Sequence, residues 1–465
     1  ADRLSRERFS GHGSALAQVF NHMIMPLANS RDKRTQVLWG IYDFERRYQR
    51  KPEGMWLAEA AVDLESLDIM AEQGIAFTIL APHQAKRAKK MSLKRAWTVE
   101  DEEGIDLRRP YLCRLPSGRS IVIFFYDGPV ALSVAFEGLL HSGEALASRI
   151  LGSFDRKSAK NQLVHIATDG ESYGHHHKFG DMALAYCLHH IEKNGLARLT
   201  VYGEYLEKNP PEYEVEIVEN SSWSCIHGVE RWRDNCGCNS GGKPGWQQEW
   251  RAPLREALDW LRDNAAAIYG REAAAYTADP WALRDRYISV VLDRSPENME
   301  KFLAENFRPG LPLEEKNKIF RLLETQRNAL LMYTSCGWFF DDISGIETVQ
   351  IIKYAARVIQ LVKRTVGDEL ELGFIEILGR AKSNVPAANN GARIYKNHVE
   401  PSIVNILRVG AHYAMSSLYQ EYPPEVKLYC FTVRRKAYEK QIVGKQEIVV
   451  GRAEIVSEIT WTAFD

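Results

Sequence analysis

The sequence lacks a hydrophobic run of membrane-spanning length, because no stretch of about 18 or more consecutive apolar residues occurs in it. It also lacks an excess of charge of either sign, since 60 Lys and Arg residues stand against 61 Asp and Glu residues. A net charge of -1 gives no general attraction for nucleic acid or for an anionic membrane surface. The sequence therefore predicts neither nucleic acid nor membrane as a partner.

Cysteine is sparse and odd in number, with 7 residues in a chain of 465. This usage argues against a disulfide framework and favours a reducing compartment, so we predict a cytoplasmic protein. No leader peptide is visible, the first residue is Ala1 rather than Met, and we expect the sequence to be cut at both ends. The length allows two or three domains.

Apolar runs alternate with helical patterns in the first half of the chain. Residues 54–57 read as a strand, 64–73 as a helix and 77–82 as the next strand, and this order predicts a parallel α/β sheet. Further strands are predicted at 121–126 and 163–168. Residues 84–119, between two of the strands, are expected to form a polar, solvated insertion. Acids follow three of these strands, namely Glu59, Asp127, and the pair Asp169 and Glu171.

The most unusual stretch is TDGESYGHHH at residues 168–177. Gly170 and Gly174 permit a sharp turn that presents Asp169 and Glu171 at the carboxyl end of a strand, where parallel α/β folds bind ligands. The alternative is a polar loop whose acids cap the following helix.

Two carboxylates in one pocket are the minimum apparatus for breaking a glycosidic bond. Glu59 and Asp169 form the best pair, since each follows an apolar strand with glycine nearby and burial would separate their pKa values. One carboxyl group would serve as acid and base, and the other as nucleophile or as the base for water.

Several motifs resemble those of glycoside hydrolase family 57. The run GMWLAE at 54–59 resembles the family's Gly-x-Trp-Leu-x-Glu motif, and DGESYGH at 169–175 looks like its Asp-x-Glu-x-Phe-Gly-His motif. The segment 11–27 is similar to the motif that ends in His-x-Ile-x-Pro-Leu. Weaker likeness continues through FYDG at 125–128 and LLMYTSCGWF at 330–339.

The resemblance implies a bacterial enzyme related to α-amylases and branching enzymes, in a subgroup with an appended helical domain. It would be a retaining hydrolase or transglycosylase that acts on an oligo- or polysaccharide of the α-glucan type. Glu59 would be the nucleophile and Asp169 the acid and base, with no cofactor and no metal. The oligomeric state stays open. The substrate-binding residues implied are His22, Trp56, Asp127, Glu171, His175, Trp223 and Trp338.

The resemblance also shapes the predicted architecture. The family's opening strand carries His-Gln-Pro, and this triplet does not occur in the chain. The expected fold class is therefore α/β, a (β/α)7-type barrel lacking its first strand over residues 1–265. An α-helical domain is predicted over 266–424, and period-two alternation after residue 425 predicts the start of an antiparallel β-domain over 425–465.

Three other interpretations remain open at this point. A non-catalytic glucan-binding or scaffold protein would keep the same fold. A metal-dependent polysaccharide deacetylase would bind its ion with His165, Asp169 and the three histidines at 175–177. The segment 219–251, rich in tryptophan, holds Cys225, His227, Cys236 and Cys238; their spacing departs from the usual zinc pattern and favours buried or redox-sensitive thiols, with zinc as the alternative.

Overall fold

The computed structural model describes residues 1–92 and 105–465. Internal packing divides the chain into two units, Ala1–Glu230 and Arg231–Asp465. Within the described residues, none of the helices combines the length and the apolar character needed to span a bilayer.

The strands of the first unit are short, and most are parallel. The register pairs β1 with β2 and β3 with β6 in parallel, and an isolated bridge joins Gly54 to Phe77 beside β2 and β3. The carboxyl ends of these strands therefore lie along one edge. The strands are β1 Ala17–Gln18, β2 Met55–Trp56, β3 Phe77–Leu80, β4 Ala85–Lys90, β5 Tyr111–Arg114, β6 Ser120–Phe125 and β7 Tyr213–Ile217.

Residues 163–168, expected to be a strand, run beside the end of β6 without forming a regular ladder. The backbone N–H of Asp127 donates to the carbonyl of His165 at 2.8 Å, which is enough to bring Asp169 to the edge that β6 reaches. Leu163 belongs to the core between these segments, with Phe77, Phe124 and Tyr126. Side-chain packing, rather than a ladder, holds this segment in place.

The polar insertion contains more order than the sequence suggested. Strands β4 and β5 lie within it, and both pair with β7 to extend the sheet in the order β3-β6-β5-β7-β4. Ion pairs such as Arg87 with Glu216 and Arg114 with Glu214 link the strands across this extension. Residues 93–104 of the predicted insertion lie outside the described residues.

Several helices of the first unit begin at side-chain caps that the sequence supplies. Asn29, Asp63 and Asp127 each accept a hydrogen bond from a backbone N–H three residues later, which satisfies an otherwise unpaired donor. The helices are α1 Asp2–Arg8, α2 Ser30–Tyr48, α3 Leu64–Glu72, α4 Gly128–Phe136, α5 Gly143–Gly152, α6 Gly180–Lys193 and α7 Tyr202–Lys208.

The second unit is mainly helical. Helices α8, α12 and α14 pack on one another, and α15 packs on α8. The helices are α8 Arg251–Ala273, α9 Pro280–Arg286, α10 Ile288–Leu292, α11 Pro296–Asn306, α12 Leu313–Leu331, α13 Cys336–Phe339, α14 Ile346–Val366, α15 Glu371–Leu378, α16 Gly391–Ile394 and α17 Ile406–Ser416. Because α8 packs with this unit, helical structure begins well before residue 266.

An antiparallel sheet ends the second unit, with the strand order β11-β10-β9-β8. Val433 and Ile455 on its two central strands pack on Val409 of α17. The strands are β8 Glu425–Leu428, β9 Phe431–Val443, β10 Gln446–Ser457 and β11 Ala463–Phe464. The division into three domains at 265 and 424 stays a prediction.

The half-buried His12 links three segments of the first unit. His12 Nδ1 lies 2.5 Å from Glu53 Oε1, just before β2, and His12 Nε2 lies 3.1 Å from Glu207 Oε2 on α7. Burial alone would lower the pKa of His12, but the hydrogen bonds to the two carboxylates outweigh it and raise the pKa. Protonated His12 therefore stabilises the fold.

We expect the contribution of His12 to stability to depend on pH. Because the folded-state pKa is raised, the contribution is complete below the unfolded value and is lost as the pH rises through the folded value. His12→Asn should thus lower the free energy of unfolding by about 1 kcal/mol at pH 5.5 and by less at pH 8.5. Urea denaturation of both proteins at the two pH values measures this. An equal loss at both pH values would show that the charge of His12 is irrelevant.

Candidate active site

Glu59 lies directly after β2, in a one-turn helix over Ala58–Ala60. Its backbone is left-handed, with φ 57°, and Ala60 follows with φ 49°. Such angles are disfavoured for residues with a Cβ and occur mainly where a site requires them. The turn directs the Glu59 side chain to the edge where the parallel strands end.

Two donors hold the carboxylate of Glu59. Trp223 Nε1 donates to Glu59 Oε2 at 2.9 Å, and Ser224 Oγ donates to the same oxygen at 2.6 Å. The backbone N–H of Trp223 also donates to the carbonyl of Glu59 at 3.0 Å. Since both side-chain donors bind Oε2, the other oxygen, Oε1, is the one that can turn toward a substrate.

Asp169 lies at the end of the segment beside β6, where the one-turn helix Gly170–Tyr173 begins. Asp169 is exposed as a residue, but partial desolvation of its carboxyl and then the negative charges of Glu59 and Glu171 raise the pKa of that carboxyl, while His176 and His22 oppose the shift. A carboxyl that keeps its proton to higher pH suits a general acid. The electrostatic effect also shows that Glu59 and Asp169 share one site.

Aromatic rings line the same site. The rings of Trp56 and Trp223 meet edge to face with centroids 5.0 Å apart, and Tyr126 meets Trp223 at 6.1 Å. Burial and the charge of Asp169 raise the pKa of Tyr126 to about 12, so Tyr126 is a neutral hydroxyl beside the acid. Sequence reasoning chose Asp127 at this strand end and missed Tyr126. Tyr126 is the last apolar residue of the predicted strand 121–126, and this position could have indicated it as a site residue.

Asp127 makes two hydrogen bonds that the sequence did not indicate. Its Oδ1 accepts the backbone N–H of Val130 at 3.0 Å, and its Oδ2 accepts Ser153 Oγ at 2.7 Å. Both carboxylate oxygens are thus used to cap α4 and to fix α5. These contacts give Asp127 a structural role, and its assignment as a substrate-binding residue stays a prediction.

The histidines and Glu171 near Asp169 differ in their exposure and in their electrostatic effect on Asp169. Glu171, His175 and His176 are exposed, and the rings of the two histidines lie 5.0 Å apart. His176, rather than the predicted His175, is the member whose charge acts on Asp169. His22 is half-buried, has a left-handed backbone with φ 53°, and also acts on Asp169.

The remaining predicted site residue, Trp338, is buried in the second unit. It is 1% exposed, and its ring stacks on Tyr333 with centroids 6.2 Å apart. This is the environment of a core residue, and it does not suit a ring that stacks on a sugar.

The ligand set of the deacetylase alternative is not assembled. His165 Nδ1 lies 2.9 Å from the hydroxyl of Tyr202, and burial lowers the pKa of His165 to about 4. His177 Nε2 lies 3.0 Å from the carbonyl of Ala135. These rings contact separate partners, so His165 and His177 do not converge on Asp169.

The first unit has mixed α/β content, and Glu59 and Asp169 lie near each other within it. Residues 9–218 match the model of glycosyl hydrolase family 57. Residues 246–465 match a domain of unknown function, DUF3536. No curated protein matches the chain.

Two solved structures illustrate the likeness. An exo-type maltose-forming amylase from Pyrococcus sp. ST04 has a TM-score of 0.63 at 16% identity, covering 89% of this chain and 78% of its own. A family 57-type branching enzyme from Pyrococcus horikoshii has a TM-score of 0.48 at 16% identity, covering 91% and 74%. The first supports the fold of the chain.

Proposed function

We propose that the protein cleaves or transfers α-glucosidic bonds by a retaining double displacement, with Glu59 as nucleophile and Asp169 as acid and base. The observation that supports this most is the raised pKa of Asp169, caused by partial desolvation and by the charge of Glu59. The two groups thus divide into a proton donor and a held carboxylate. Retention requires the carboxyl groups to approach to about 5–5.5 Å in the substrate complex.

The reaction balances with these two groups alone. Glu59 Oε1 attacks the anomeric carbon, the bond to the leaving oxygen breaks, and Asp169 gives its proton to that oxygen. In the second step Asp169 takes a proton from water or from a sugar hydroxyl. The oxygen so activated attacks the anomeric carbon and releases Glu59.

The substrate class is supported by the relatives and by the lining of the site. One similar structure is described as an exo-type maltose-forming amylase. Trp56 and Trp223 place two half-buried aromatic rings beside Glu59, and aromatic faces suit the apolar faces of sugars.

Trp223 and Ser224 should act as positioning residues for Glu59. We expect Trp223→Phe and Ser224→Ala each to lower kcat about tenfold, because each removes one hydrogen bond to Oε2 while the other remains. The double variant should lose more than the product of the two single losses, since neither donor then holds the carboxylate. Steady-state kinetics with maltooligosaccharides measures this, and Ser117→Ala, in an exposed turn, is the control. A change in KM alone would contradict a positioning role.

The product profile on amylose and short maltooligosaccharides tests the function itself. Proton NMR of the first products should show the α-anomer, and chromatography should show shorter chains for hydrolysis or longer and branched chains for transfer. Binding without turnover would instead favour the glucan-binding alternative. Release of acetate from an acetylated polysaccharide would favour the deacetylase.

A further inference from the structure

Four metal-binding side chains gather in the segment of residues 225–238, here called the Cys-His loop. Within the described residues, the ligand atoms of Cys225, His227, Cys236 and Cys238 all lie within 4.8 Å of one another. The loop falls between the two family matches, which end at residue 218 and resume at 246.

The backbone of the loop explains how closely spaced residues converge. Side chains two residues apart point to the same face of an extended chain but lie about 6.6 Å from each other, too far to share one ion without a turn. Gly237, between Cys236 and Cys238, has φ 81°, and Gly228, after His227, has φ 87°. The N–H of Gly228 closes a turn by donating to the carbonyl of Cys225 at 3.1 Å. Each pair of ligands is therefore carried on a turn, and the departure from the usual zinc spacing is no obstacle.

We propose that these four side chains bind one zinc ion in a closed structural site. Three thiolates and one imidazole form a standard tetrahedral zinc set. With Zn–S bonds of about 2.3 Å, sulfur atoms in a tetrahedron lie about 3.8 Å apart, so small side-chain rotations close the present cluster. Binding releases the thiol protons, because the thiolate is the ligand.

Arg251, at the start of α8, supplies the charge that such a site requires. A zinc ion with three thiolates and a neutral imidazole carries one net negative charge. The guanidinium of Arg251 is 0% exposed; its Nη1 donates to Cys236 Sγ at 3.9 Å and its Nη2 to the carbonyl of Cys238 at 3.1 Å. An anionic metal centre would favour the charged guanidinium, and hydrogen bonds to sulfur orient the ligands.

The zinc site would also stiffen the catalytic site, an extension that rests on the proposed function. Cys225 directly follows Trp223 and Ser224, the two residues that hold the carboxylate of Glu59. Ser222 Oγ donates to the carbonyl of Gly228 at 2.6 Å, so the segment before Cys225 is bonded to the turn that follows His227. A metal at Cys225 would thus fix the segment that positions the nucleophile.

Metal analysis of the whole chain, purified without chelator or affinity metal, tests the site without any activity measurement. We expect about one zinc per chain by inductively coupled plasma mass spectrometry. Cys225→Ser and the double variant Cys236→Ser/Cys238→Ser should retain less than about a fifth of that amount. Cys336→Ser and Cys430→Ser, which replace cysteines outside the loop, should keep their zinc. Substitution with cobalt should give the absorption bands of a tetrahedral thiolate complex.

The outcomes separate the two parts of the proposal. Wild type without zinc, even after reconstitution with zinc chloride, would overturn the site, as would zinc retained by the double variant. A disulfide within the loop, seen as a mass lower by about two units, would also overturn it. Removal of zinc should lower Tm by at least about 5 °C and kcat several-fold. Zinc loss with an unchanged kcat would overturn only the coupling to Glu59.

Discussion

Replacing Glu59 by glutamine should lower kcat on maltooligosaccharides by at least about 10³-fold, because the amide cannot form the covalent intermediate. The structure predicts that the variant stays folded. Glutamine keeps the shape of the side chain, and its carbonyl oxygen can still accept the hydrogen bonds from Trp223 and Ser224. The affinity for the oligosaccharide should therefore change little. Steady-state assays measure kcat, and isothermal titration calorimetry measures the affinity for the oligosaccharide.

Glu72→Gln is the matched control for this substitution. Glu72 is at the end of α3 and pairs with Arg34 on the surface, so its loss should leave kcat unchanged. A sharper test is Glu59→Gly with added azide, which can occupy the vacated space and attack the anomeric carbon. The expected product is a glycosyl azide of inverted configuration. Near-normal turnover by Glu59→Gln would reject Glu59 as the nucleophile.

The second large effect is expected at Asp169, and it should depend on the leaving group. Asp169→Asn removes the proton donor, so kcat/KM for unactivated maltooligosaccharides should fall about 10³-fold. A maltosyl fluoride, whose leaving group needs little protonation, should lose far less in the first step. Comparison of the two substrates with one variant measures the difference. Equal losses on both substrates would contradict a general acid role for Asp169.

The pH profile gives a second view of Asp169. The acid must hold its proton for the first step, so kcat/KM should fall as the pH rises through its pKa, which is raised from the ordinary value of 3.8. Because the charge of Glu171 contributes to this shift, Glu171→Gln should move the falling limb to lower pH. Glu72→Gln should leave the limb in place.

The sequence indicated which segments carry Glu59 and Asp169, but it did not indicate which residues hold Glu59 in place. Apolar runs of strand length placed Glu59 shortly after β2 and Asp169 at the end of a segment that runs beside β6. The donors Trp223 and Ser224 lie 164 and 165 residues beyond Glu59, and no local pattern connects them to it. Long-range contacts of this kind appear only once the chain is folded.

Two predicted site residues, Asp127 and Trp338, make contacts that the sequence did not indicate. Asp127 satisfies the expectation of an acid at a strand end, yet its oxygens are consumed by Val130 and Ser153. Trp338 satisfies the expectation of an aromatic residue in a sugar-binding motif, yet it is buried against Tyr333. A residue type is read from the sequence, but its partners are set by packing. The sheet formed by β4, β5 and β7 was missed for the same reason, because polar strands held by ion pairs resemble a solvated loop.

The left-handed turn at Glu59 and Ala60 also bears on how the site tolerates sequence drift. Positive φ strongly disfavours β-branched side chains, so Val, Ile and Thr are excluded from position 60 on steric grounds alone. Gly and Asn adopt such a backbone with the least strain. The backbone geometry therefore restricts which residue type position 60 can hold, whatever contacts its side chain makes. Relatives that keep the acid but place a branched residue after it would have to present their carboxylate in another way.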